Sequence, residues 1–135
     1  MHVKPKKHLG QHFLKEETIA ARIADSLQEL SNYDNILEVG PGLGMLTKYL
    51  LKVPEHQLKV VEADKDMVAH LEEHYPQLEN HIIFEDFLKV DLSTVFDGKE
   101  FGLIGNFPYN ISSQILIKAL DNKEYVTEVV GMFQK

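Results

Sequence analysis

Five short runs rich in Val, Ile and Leu alternate along this chain with segments of helical spacing, and that alternation leaves few folds open. Ile36 to Val39, Leu58 to Glu62, Ile82 to Phe84, Phe101 to Gly105 and Tyr125 to Phe133 read as strands. Glu17 to Leu30 reads as a helix, with Ile19, Ile23, Leu27 and Leu30 on one face, as do Met45 to Val53, Lys65 to Tyr75 and Ser112 to Leu120. Asp91 to Lys99 reads as a loop with room for one helical turn. Near-continuous apolar strands are buried on both faces, and strands joined through helices run parallel. The chain is therefore expected to be an α/β protein with a mostly parallel, doubly wound sheet.

Composition narrows the class without naming a function. With 135 residues, 44% of them apolar, 26% charged and none cysteine, the chain is neither collagen-like, disulfide-stapled nor low-complexity. No apolar run reaches the ~18 residues of a membrane-spanning helix. No secretory signal is visible at the start, so a cytoplasmic protein is expected. The chain stops directly after its fifth strand pattern, which would leave that strand's outer edge unpaired. The sequence thus reads as the front portion of a longer protein, truncated after about the fifth strand. Its open edge invites self-association. Residues 1–32 are expected to form a basic arm and helix of this domain, and 33–135 its incomplete α/β core.

Charge is unevenly spread. Residues 1–15 hold Lys4, Lys6, Lys7 and Lys15 and no carboxylate. Against a net charge of −7 for the whole chain, those four lysines leave −11 on the remaining 120 residues. A basic arm on an acidic body can touch nucleic-acid phosphates or can be a solvated tail, and charge alone leaves both open.

In an open parallel sheet, ligands bind beyond the carboxyl ends of the strands, where strand order reverses. After the first strand stands Glu38-Val39-Gly40-Pro41-Gly42-Leu43-Gly44. Glycines there permit a sharp turn and close approach by a ligand, or simply a tight strand-to-helix connection. The P-loop and the G-x-G-x-x-G dinucleotide pattern each require glycine where Met45 stands. What remains is E-x-G-x-G-x-G. Glu62 ends the second strand and can accept both hydroxyls of a ribose. Asp64 is expected instead to cap the following helix. Asp86 ends the third strand, where it can accept the exocyclic amine of an adenine with Phe87 over the ring, or merely close a turn.

The fourth strand closes on Gly105-Asn106-Phe107-Pro108-Tyr109-Asn110. An exocyclic amine on a base is a poor nucleophile because its lone pair is conjugated into the ring. Two acceptors on its two N–H groups favour a tetrahedral nitrogen and free that pair. Asn106 Oδ1 can be one and the Phe107 carbonyl the other. Pro108 stiffens the turn, and Tyr109 offers a ring for an extruded base.

These blocks resemble the N-terminal portion of the KsgA-type ribosomal RNA adenine N6,N6-dimethyltransferases. The similar stretches are Lys7 to Leu14, Leu37 to Thr47, Val61-Glu62, Glu85-Asp86 and Asn106 to Asn110, in the family's order. The resemblance implies a Rossmann-like, seven-stranded S-adenosylmethionine-dependent methyltransferase fold followed by a helical domain, with no metal. It implies cofactor contacts at His12, Leu14, Gly40, Gly42, Glu62, Asp86 and Asn106, and catalytic positions at Asn106, Phe107, Pro108 and Tyr109. The family often has Asn where this chain has His12, and Leu where it has Phe107. The implied activity is methyl transfer to the N6 amines of two adjacent adenines of small-subunit (16S) ribosomal RNA, in ribosome biogenesis. The lysine arm would contact RNA of the subunit or its precursor particle, and 135 residues alone would turn over poorly.

Three other readings compete. A large-subunit rRNA methylase of the antibiotic-resistance type shares the chemistry, but its glycine loop tends to be less like Gly-Pro-Gly-Leu-Gly. A nicotinamide-dependent oxidoreductase is opposed by Met45. A non-catalytic RNA-binding relative is opposed by the intact Asn106 to Tyr109 block.

Overall fold

The computed structural model describes residues 34–51, 57–107 and 110–133. Five strands form one sheet: β1 (Asn35–Val39), β2 (Gln57–Glu62), β3 (Ile82–Phe84), β4 (Phe101–Phe107) and β5 (Val126–Phe133). Their order is β3-β2-β1-β4-β5, and every neighbouring pair is parallel, as the sequence pattern implies. β4 runs two residues further than expected, through Phe107. The helix expected over Glu17 to Leu30 lies outside the described residues.

Among the described residues, four helices connect the strands: α1 (Thr47–Leu50), α2 (Lys65–His74), α3 (Leu92–Val95) and α4 (Ser112–Asp121). Pro76–Leu78 and Phe87–Lys89 form single 3-10 turns. The helix expected from Met45 starts two residues late. Gly42 and Gly44 have φ of +57° and +88°, so the chain is still turning where a helix would have to begin. α2 starts where its cap dictates, since Asp64 accepts from the amides of Asp66 and Met67.

β1 is buried along its whole length, because both neighbours pair with it and both faces are covered. One face packs Leu37, Val61, Leu103 and Phe107 against Phe87, Phe96 and Ile115. The other packs Ile36, Val60 and Ile104 against Leu46, Leu50, Leu71 and Leu78. The chain adds β2 and β3 on one side of β1, then crosses to add β4 and β5 on the other. The order therefore reverses between β1 and β4. The turns after those two strands flank the crevice in which such sheets bind ligands.

Candidate active site

The glycine loop begins where β1 ends, and the register sets its level. Val39 stands beside Val61 on one side and Gly105 on the other. Gly40, Glu62 and Asn106 thus follow at the same rim of the sheet. Gly40 donates its N–H to Val61 O at 2.9 Å, and Gly44 donates to Pro41 O at 2.9 Å. Glu62, only 9% exposed, holds the loop from below. Its Oε1 accepts from Gly42 N at 3.0 Å and its Oε2 from Asp64 N at 3.0 Å. A carboxylate has about four lone-pair sites, so two remain for a ligand.

Space in the loop is divided unevenly. Among the described residues, a Cβ at Gly40 or Gly42 would meet nothing within 4 Å, so the described part of the structure leaves the backbone there open to an approaching molecule. At Gly44 a Cβ would lie 2.6 Å from the Tyr75 ring, whose hydroxyl donates to Gly44 O at 3.3 Å. Gly44→Ala is therefore expected to cost about 1–2 kcal/mol for its left-handed backbone, plus the displacement of Tyr75. Gly42→Ala should show only the backbone part. Urea denaturation of the two variants checks this, and equal losses would mean that the Tyr75 contact carries no weight.

Beneath the loop sits a residue to which the sequence reading gave no role. Glu38 is 1% exposed, and Thr47 Oγ1 donates to its Oε1 at 2.5 Å. Burial pushes its pKa up to about 8, with the neighbouring Glu62 adding to the rise and the Thr47 hydroxyl opposing it. The signal was present as an acidic residue inside an otherwise apolar, doubly buried strand.

Asp86 stands after β3, exposed, and its Oδ1 accepts from Leu88 N at 3.0 Å. It caps the 3-10 turn, as one of the two sequence readings held, with the rest of the carboxylate turned to solvent. Phe87 is buried, in the core layer that also holds Phe107. At the end of β4 the two residues of interest diverge. The Phe107 ring packs inward, close enough that a Cβ at Gly105 or Gly131 would strike it. Asn106 Oδ1 is buried and has no hydrogen-bond partner among the described residues. A buried acceptor left unpaired costs about 1–3 kcal/mol, so such atoms need a reason to persist. His12, Leu14, Pro108, Tyr109 and the lysines at 4, 6, 7 and 15 lie outside the described residues.

Residues 2–135 match the family described as ribosomal RNA adenine dimethylase. The chain belongs to that family. It is 54% identical over 133 residues to the ribosomal RNA small subunit methyltransferase A of Flavobacterium johnsoniae, covering 98% of this chain and 50% of that protein. The protein of the same name from Bacteroides thetaiotaomicron is 54% identical, with 98% and 49% covered. This member of the family thus spans about half the length of the curated relatives it matches. Among solved structures, the 23S rRNA methyltransferase ErmE superposes with a TM-score of 0.66 at 29% identity, over 87% of this chain and 46% of that one. A dimethyladenosine transferase from Plasmodium falciparum shares the fold, with a TM-score of 0.64 at 24% identity over 85% and 41%. Among the described residues no helix is long and apolar enough to cross a membrane.

Proposed function

We propose that the protein transfers methyl groups from S-adenosylmethionine to the N6 amines of two adjacent adenines in small-subunit ribosomal RNA, in the cytoplasm during ribosome assembly. One observation carries the reading: in a member of the adenine dimethylase family, a buried acceptor with no partner among the described residues, Asn106 Oδ1, stands at the rim where the strand order reverses. An amine bearing two N–H groups is the complement of that atom together with the adjoining Phe107 carbonyl. Accepting from both N–H groups draws the nitrogen towards tetrahedral geometry and releases its lone pair for attack. The amine sheds its proton to solvent afterwards, so no side chain of raised basicity is required. Positioning and exclusion of water then account for most of the acceleration.

S-adenosylmethionine, when bound, supplies the methyl group as an electrophile on a sulfonium. The residues present suit its adenosine. Gly40 and Gly42 leave open backbone, Glu62 keeps acceptor capacity for the ribose, and the exposed part of Asp86 can accept from the adenine amine. His12 and Leu14 would meet its methionine end, and Pro108 and Tyr109 the target base. The lysines at 4, 6, 7 and 15 would contact RNA phosphates, since the rest of the chain is too acidic to do so. The relatives sharing 54% identity are named for the small subunit, whereas the solved 23S enzyme stands at 29%, which favours the small-subunit substrate. The outer edge of β5 is the surface through which two copies of these 135 residues would pair.

Calorimetric titration with S-adenosylhomocysteine should show binding, and Glu62→Ala should weaken it by about 1–3 kcal/mol, the range for hydrogen bonds to a charged group. Unchanged affinity in that variant would remove Glu62 from the ribose. The full-length protein should label small but not large ribosomal subunits with radioactive methyl. Labelling of large subunits, or preferential binding of NADH, would overturn the reading.

A further inference from the structure

We propose that Lys118 of α4 is a positioning residue for the adenine end of the cofactor site, holding the turn that carries Asp86 and Phe87. The assignment rests on the methyl-transfer reading above and extends it to a residue outside the site.

The turn is anchored by the Phe87 ring in the core, and its backbone takes a second hold. It follows β3, a three-residue strand at the edge of the sheet whose Phe84 is 60% exposed. Its own bonds are local: Leu88 N to Asp86 Oδ1, Lys89 N to Asp86 O and Val90 N to Phe87 O. Such bonds shape the turn, while the buried Phe87 ring and the bond from Glu85 N to Glu62 O at 3.1 Å hold its start against the core and β2. Lys118 reaches it from α4, donating from Nζ to Phe87 O at 2.7 Å and to Val90 O at 2.5 Å. The same ammonium lies 5.1 Å from the centre of the Phe87 ring.

That posture is not a lysine's easy choice. On a half-exposed helix a lysine ordinarily extends its ammonium into water. Here burial draws its pKa below the usual lysine value, while the Asp86 and Asp91 carboxylates oppose the fall. Two carbonyls and an aromatic face replace the lost water. α4 itself begins at Ser112, directly after the Asn106 to Asn110 segment. Lys118 therefore ties the helix that follows the target-base segment to the turn proposed to read the cofactor's adenine.

The test uses the full-length protein with S-adenosylhomocysteine and its inosine counterpart, which lacks the exocyclic amine. Wild type should bind the adenine form more tightly. Lys118→Met should bind it roughly tenfold less tightly, the effect of about one charged hydrogen bond. It should also lose most of the preference over the inosine form, with kcat at saturating cofactor near wild type. Lys118→Arg, which keeps paired donors, should restore the preference. A folded Met variant with unchanged affinity and preference overturns the proposal. Should that variant not fold, Lys118→Leu, which also carries no donor, is read by the same ratio, and a preserved preference there overturns it too. Failure of wild type to bind either ligand would instead sink the methyl-transfer reading.

Discussion

Asn106→Ala in the full-length protein will slow methyl transfer by about two to three orders of magnitude, the usual effect of deleting one preorganised polar group from a transition state. Affinity for S-adenosylhomocysteine will change far less. In the proposed reaction the acceptor acts on the amine as its geometry changes, and interactions of that kind appear in rate rather than in binding. Stability offers a second, independent reading. Because Asn106 Oδ1 is buried with no partner among the described residues, its removal takes away an unsatisfied group, and the variant should be at least as resistant to urea as wild type. Single-turnover incorporation of radiolabelled methyl, measured beside urea unfolding, separates the possibilities. Near-normal turnover would refute the acceptor pair, and a large loss of stability would mean that Asn106 has a structural partner.

Glu38 gives the largest expected dependence on pH. Folding raises its pKa from 4.5 to about 8, so the folded state holds a proton that the unfolded chain gives up. The stabilisation this confers is complete below the unfolded value, declines as pH rises between the two, and is lost above about pH 8. Within that window the loss approaches about 1.4 kcal/mol per pH unit. Glu38→Gln keeps the shape and an acceptor for Thr47 but has no proton to lose. Its stability should stay level where that of wild type falls, leaving the variant the more stable of the two in alkali. Urea unfolding of both proteins at successive pH values checks this. Parallel curves would show that Glu38 is not the group responsible.

How far the sequence could be read depended on the range of the interaction concerned. The strands were legible because Ile36 to Val39 or Phe101 to Gly105 announce burial within four or five residues. Asp64 as a cap was legible because its partners are two and three residues away. The late start of α1 was not, because a propensity reading of Met45 to Val53 ignores the positive φ of Gly44 just before it. Glu38 was seen as part of a motif but not as a buried acid. Its state depends on Thr47 and Glu62, which only the folded chain brings near. Lys118 was invisible for the same reason: a lysine on a helix reads as solvated, and its partners lie 28 and 31 residues earlier. For the site itself, sequence order located the rim residues Gly40, Glu62, Asp86 and Asn106. Only the structure showed that Glu62 already grips Gly42 and Asp64, and that Asn106 Oδ1 lacks a partner among the described residues.

Asn106 and Phe107 are neighbours in the chain but belong to opposite sides of the sheet. The Phe107 ring sits in the layer with Phe87 and Ile115, and strand alternation turns Asn106 to the side where Ile104 packs against Leu46 and Leu50. The peptide joining the two residues is therefore held like a key between two hands. A slip of one layer against the other rotates it, and with it the angle between the two acceptors. Substitutions deep in either layer, far from any ligand, should then blunt the reaction before they noticeably loosen the fold, so that turnover becomes the finer gauge of how well the two halves are aligned.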